Sequence, residues 1–118
     1  MPANMTMHSY VGCPFCLRTY FTAVHLGLPV KFVWITDFAV CRTQEYLNIN
    51  PAGKVPILVT DNGFITESNV IMRYLSELAT KQGFAGRNLF ERAQVDEWLE
   101  YASNTSLSNS YYGATGIK

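Results

Sequence analysis

Met5-Thr6-Met7-His8-Ser9-Tyr10-Val11-Gly12-Cys13-Pro14-Phe15-Cys16 decides the fold, because it runs from a strand through a loop to a thiol at the start of a helix. Met5 to Ser9 reads as the strand and Tyr10 to Gly12 as the loop. Pro14 suits the first helical position, where no backbone N–H is required. A cysteine at that boundary faces the unpaired N–H groups of the first turn and the positive end of the helix dipole, both of which favour its thiolate. Free cysteine titrates near pH ~8.5, and such settings lower this to roughly 3.5–7.5. Cys13 is therefore read as a nucleophile rather than as a small buried hydrophobe. Cys16 lies one turn further on, close enough to resolve or oxidise with Cys13, although the same turn can simply bury it under the next strand. A Cys-x-x-Cys beside a strand-to-helix pattern is a redox signal.

The remaining composition narrows the class. A chain of 118 residues has room for one domain, and 48% hydrophobic with 15% charged residues describes a globular core. Nine basic residues balance nine acidic ones, so no global field draws the chain to nucleic acid or anionic lipid. The first ten residues show no basic, apolar signal pattern, and no apolar run approaches the ~18 residues of a membrane span. Three cysteines do not make a secreted disulfide scaffold, which points to a reducing, cytoplasmic compartment. Cys41 has no partner spacing and reads as structural. His8 and His25 stand apart and suggest no zinc site.

Further along, Phe15, Tyr20, Phe21, Val24 and Leu28 supply an apolar helical face, and Gly27 can end that helix. Val30 to Thr36 is β-branched and aromatic, as a buried strand should be. Asp37 to Val40 breaks it, and Arg42 to Asn48 can form a short helix. Asn50-Pro51-Ala52-Gly53 is loop chemistry leading into the strand Val55 to Val59. Asp61-Asn62-Gly63 predicts a hairpin that pairs Ile57–Thr60 with Phe64–Thr66. Ser68 is expected to cap a helix with Ile71, Leu75 and Leu78 on one face. Gly83 and Gly86 mark a linker. Leu89 to Ser103 then reads as an amphipathic helix with Leu89, Val95, Trp98, Leu99 and Ala102 on its apolar side. The Val95, Trp98 and Leu99 face is core or interface. Ser103 to Lys118, with Tyr111-Tyr112, is a poor candidate for regular structure. The order predicts a mixed sheet, with a parallel crossover first and an antiparallel hairpin last.

This order, with Cys-Pro-Phe-Cys at the first helix, resembles the thioredoxin superfamily. Asn50-Pro51-x-Gly53-Lys54-Val55-Pro56 followed by Glu67-Ser68 is similar to the amino-terminal domain of glutathione S-transferases. The resemblance implies an α/β, thioredoxin-like βαβαββα mixed sheet over residues 1–82, binding glutathione as cosubstrate. Residues 83–118 would be a linker and the first helix of an all-helical carboxy-terminal domain. It also implies a cis bond before Pro56, with Val55 pairing its backbone to the cysteinyl part of glutathione. Ser68 would bind the γ-glutamyl carboxylate at a helix N-terminus, Glu67 would accept from its ammonium, and Lys54 would stand near the other carboxylate.

Cys13-Pro14-Phe15 with Arg18 resembles the omega and thiol-transferase classes, whose cysteine forms a mixed disulfide with glutathione. The second cysteine is nearer to glutaredoxins, and it leaves monothiol and dithiol versions open. For Arg18, pairing with a carboxylate on the helix surface is favoured over a catalytic role. The resemblance covers about residues 5 to 105. A full-length member continues through further helices that supply a second-substrate pocket. The Gly-Lys-Val-Pro, Glu-Ser-Asn and Ala-Gln-Val-Asp-Glu-Trp segments are also similar to the transferase-like domain of translation elongation factor gamma subunits, which serves assembly. The expected partners are thus glutathione, a disulfide or electrophile, and a protein or second copy covering the last helix, with no membrane and no direct nucleic acid.

Overall fold

The structure, a computed structural model, describes residues 2–79 and 83–107. Its central strand is β1, Met5–Tyr10, in which Met5, Met7 and Ser9 are buried and the residues between them half-buried. That alternation follows from the two-residue period of a strand covered on both faces. β1 pairs in parallel with β2, Lys31–Ile35, and antiparallel with β3, Ile57–Thr60. β3 turns at Asp61-Asn62 into β4, Gly63–Thr66, so the sheet order is β2-β1-β3-β4. Gly63, at φ 133, takes a conformation that favours glycine at this turn. The parallel crossover and the closing hairpin are both as expected.

Helices cover both faces. α1, Pro14–His25, and α3, Ser68–Leu78, lie over Met5, Met7 and Leu58, and add Ala23, Ile71 and Leu75 to that core. The opposite face holds Ile35, Ile57, Cys41 and Tyr46, the last from α2, Gln44–Ile49. A 3₁₀ turn, Phe38–Arg42, precedes α2, and Thr43 caps α2 by accepting from the Tyr46 N–H at 3.3 Å.

Two expectations change and a third narrows. First, β2 is an edge strand rather than a buried one, with only Ile35 fully buried. Second, α1 does not bury its large apolar residues. Phe21 is 61% exposed, while Cys16, Thr19, Thr22 and Ala23 face the sheet. Short side chains let the helix approach closely, and the two threonine hydroxyls donate to the carbonyls of Cys16 and Arg18 at 2.7 and 2.8 Å, which removes the penalty of burying them. Third, α4, Leu89–Tyr101, has no buried residue, and Trp98 is 70% exposed. Its apolar side, read as core or interface, takes no part in either core cluster, which leaves the interface reading. Asn88 caps α4 through the Glu91 N–H, and Arg73 of α3 bridges to Asp96 at 2.6 Å and Glu100 at 3.1 Å.

The helical path continues as a π turn, Ala102–Leu107, where an irregular tail was expected. Tyr111-Tyr112 lies outside the described residues. No helix among the described residues is long and apolar enough to cross a membrane.

Candidate functional site

Cys13 occupies the cap position of α1 in an extended conformation, with Pro14 as the first helical residue. Its N–H donates to the Tyr10 carbonyl at 3.2 Å, and its carbonyl accepts the first intrahelical bond from Leu17. The thiol is lowered to about 6, first because the Cys16 thiol donates to it, and then because the N–H groups of Cys16 and Phe15 do so as well. Burial opposes this shift. Residue type and spacing revealed the backbone contribution. The leading contribution comes from a second thiol, whose spacing by itself suggests only a resolving or buried cysteine.

Cys16 lies wholly within the protein and is raised, because it keeps its proton to donate a hydrogen bond to Cys13 and because burial disfavours its anion. Its sulfur also accepts from the Tyr10 N–H at 3.3 Å. All three cysteines are free, with no bond between Cys13 and Cys16. Cys41 is buried in the 3₁₀ turn, on the opposite face of the sheet from α1 and α3.

Cys13 opens onto a cleft of about 420 Å³ that also brings together Lys54, Val55, Pro56, Glu67 and Ser68. These residues come from three separate parts of the chain. The Val55–Pro56 bond is cis. Val55 precedes the β1–β3 ladder, which begins at Ile57, and so belongs to the cleft wall. The Lys54 carbonyl accepts from the Tyr46 hydroxyl at 2.6 Å and the Asn50 amide at 2.8 Å, while Asn50 also accepts from the Ala52 N–H at 3.1 Å. Gly53, at φ 65, brings this loop so close to Cys41 that a Cβ there would stand 3.1 Å from the Cys41 carbonyl oxygen. The loop is thereby pinned to α2.

Glu67, rather than Ser68, occupies the cap position of α3, and it makes no side-chain capping bond. Ser68 is the first helical residue, one place beyond the expectation. Glu67 has φ 71, a strained choice for a residue with a Cβ. Such strain costs roughly 1–3 kcal/mol and clusters at functional sites.

The cleft is completed by Phe15, Phe38, Asn50, Ala52, Gly53 and Thr66. Of these, Asn50 carried a sequence signal as a loop residue, and its clamp on Lys54 was not legible. Phe38 carried none; it is set by stacking on Tyr10, with ring centres 3.9 Å apart. Arg18 does not join the cleft walls. Instead of bonding to a surface carboxylate, its guanidinium donates to Asn69, Ser103 and Met72. No cluster of three or more metal-ligating side chains occurs among the described residues.

Comparison with known proteins agrees with this geometry. Residues 7–83 match the family profile described as the glutathione S-transferase N-terminal domain. Probable elongation factor 1-gamma 1 of Arabidopsis thaliana is 32% identical over 100 residues, covering 84% of this chain and 24% of that protein. Glutathione S-transferase F10 of Arabidopsis thaliana is 46% identical over 61 residues, covering 50% of this chain and 28% of that protein. A glutathione transferase homolog from Sulfitobacter, crystallised with bound glutathione, superposes with a TM-score of 0.76 at 26% identity, over 86% of this chain and 50% of that one. The chain thus spans about a quarter of the curated relatives' length and half that of the solved structure. With the profile match, the strand order and the cis Val55–Pro56 bond in agreement, this chain belongs to the glutathione S-transferase family.

Proposed function

We propose that the chain binds glutathione in the Cys13 cleft and acts as a glutathione-dependent thiol transferase. The observation that carries this reading is the meeting of a lowered thiol with Lys54, Val55, Glu67 and Ser68 in one cleft. The glutathione bound in the Sulfitobacter homolog supports it. In this reading the backbone of Val55 pairs with the cysteinyl unit, and Glu67 and Ser68 hold the γ-glutamyl end. Lys54 faces the remaining carboxylate. Pro56 keeps Val55 turned to the cleft. Residues 1–82 form the glutathione-binding unit and residues 83–118 the start of the helical one.

The Cys13 thiolate attacks the glutathione sulfur of a mixed disulfide. A Cys13–glutathione disulfide forms and the other thiol leaves. A second glutathione thiolate then attacks the bound glutathione sulfur, releasing glutathione disulfide and restoring Cys13. Cys16 offers the alternative resolving thiol. Burial disfavours the Cys16 thiolate, which supports the route through a second glutathione.

The test compares wild type with Cys13→Ser on immobilised glutathione and in reduction of a glutathionylated disulfide. Both proteins are expected to be retained, and only wild type to turn over. Failure to bind, or turnover that survives without Cys13, sinks the proposal. The exposed Leu89, Phe90, Trp98 and Tyr101 on α4 favour a second reading, a docking domain in a larger assembly. The relative named elongation factor 1-gamma 1 supports it. Retention without turnover in wild type, with Cys13 reduced, would select that reading.

A further inference from the structure

The start of α3 needs support from outside itself. Glu67 stands at φ 71 with no side-chain capping bond, and such conformations persist only where neighbouring contacts over-determine them. Those contacts converge on Asn69, two residues on and nearly buried. Its Oδ1 accepts from the Arg18 guanidinium and from the Ser103 hydroxyl, the latter at 3.0 Å. Its Nδ2 donates to Glu100 at 3.0 Å. Arg18 also donates through Nε to the Met72 sulfur at 3.1 Å and through Nη1 to Ser103 at 2.5 Å.

Arg18 sits on α1, the helix that begins beside Cys13, whereas Asn69 sits in the first turn of α3 beside Glu67 and Ser68. The Arg18–Asn69 contact therefore ties the thiol-bearing helix to the helix that carries the far wall of the cleft. A half-buried guanidinium is an expensive group to place at such a joint, and its planar fork can hold several acceptors at fixed angles. We propose that Arg18, acting through Asn69, is a positioning residue that holds Glu67 and Ser68 in place relative to Cys13, so that one glutathione reaches both. This role rests on the glutathione reading above.

The test titrates the full chain with glutathione by calorimetry, as wild type, Arg18→Met, Asn69→Ala and the double variant. Exchange of the Ile71 amide, which donates to the Glu67 carbonyl at 2.9 Å, is followed alongside. Each single variant is expected to bind glutathione about tenfold more weakly, and the double variant about as weakly as the poorer single, as two residues of one contact should. Arg18→Lys recovers part of the loss. Ile71 exchange quickens about tenfold in Arg18→Met, reporting local loosening. The pH midpoint of Cys13 alkylation stays where it is in wild type, which separates positioning from a general loss of the site.

Affinity within about twofold of wild type in Arg18→Met, or fully additive losses in the double variant, overturns the role. If Arg18→Met does not fold, Asn69→Ala is compared with Asn69→Asp, which keeps an acceptor for Arg18. Retained binding in the aspartate variant alone supports the contact, and equal loss in both overturns it. A wild-type chain that does not bind glutathione overturns the glutathione reading instead. The Ile71 exchange in the same variants then decides the Arg18 contact by itself.

Discussion

Replacing Cys16 with alanine should change Cys13 more than it changes the fold. In the native protein the Cys16 thiol is the leading cause that brings the Cys13 thiol down to about 6; burial opposes it, and the N–H groups of Cys16 and Phe15 add smaller downward contributions. An ordinary thiol titrates near ~8.5. Loss of the donor leaves the backbone contribution against the opposing burial, so the Cys13 midpoint should rise by at least about one unit, a change of about 1.4 kcal/mol or more in thiolate stabilisation. At pH 6.5 the thiolate fraction then falls from about three quarters to about one quarter or less.

The assay is alkylation of Cys13 by iodoacetamide across pH, followed on the intact peptide by mass spectrometry. The midpoint is the informative quantity. Plateau rate is not, because nucleophilicity rises with thiol basicity and masks part of the change. Cys16→Ser keeps a hydroxyl donor and should titrate below Cys16→Ala. A Cys16→Ala midpoint within about 0.3 unit of wild type would refute the reasoning, since it would mean that the helix terminus alone stabilises the thiolate.

The same thiol makes stability depend on pH. Its folded value lies below its unfolded one, so its contribution is fully present above pH ~8.5 and is lost as pH falls through about 6. Urea denaturation of wild type should weaken by on the order of 1–3 kcal/mol across that window, and Cys13→Ser should show a flatter profile. Glu67→Gly relieves a positive φ, so the fold should gain about 1 kcal/mol in denaturation while retention on glutathione falls; loss of both would show that Glu67 is not strained for binding. Leu75→Ala, at a fully buried site between α3 and the sheet, should cost about 2–5 kcal/mol, against under about 0.5 kcal/mol for Trp98→Ala on open α4. Equal costs by chemical denaturation would place α4 within the cooperative core.

Much of the fold was legible because it rests on local rules. Pro14 behind Cys13, the Asp61-Asn62-Gly63 turn and the Ile71/Leu75 spacing each impose a local conformation, and all three elements formed where expected. The site residues Cys13, Lys54, Val55, Pro56, Glu67 and Ser68 were named from their motifs, and they meet in one cleft. What failed was the assignment of faces. Helical spacing marked Phe21 and Val24 as apolar and could not tell that threonines with satisfied hydroxyls face the sheet instead. On α4 the same spacing allows core or interface for the Val95, Trp98 and Leu99 side, and spacing alone does not choose between them; Val95 and Leu99 are half-buried and Trp98 is exposed.

Sequence by itself determined the thiol at a helix start, the strand and helix order, and the loop chemistry around Val55 and Glu67, since each depends on residues within a few positions of one another. Tertiary structure decided the rest. It placed Cys16 as donor to Cys13, set Tyr46 and Asn50 on the Lys54 carbonyl, stacked Phe38 on Tyr10, and tied Arg18 to Asn69. Arg18 and Asn69 are 51 residues apart and meet only when α1 and α3 pack together, whereas Tyr46 and Asn50 reach Lys54 across eight and four residues through the path of the loop. The cysteine pair adds a further condition: which of two neighbouring thiols keeps its proton depends on burial, and spacing alone carries no measure of burial.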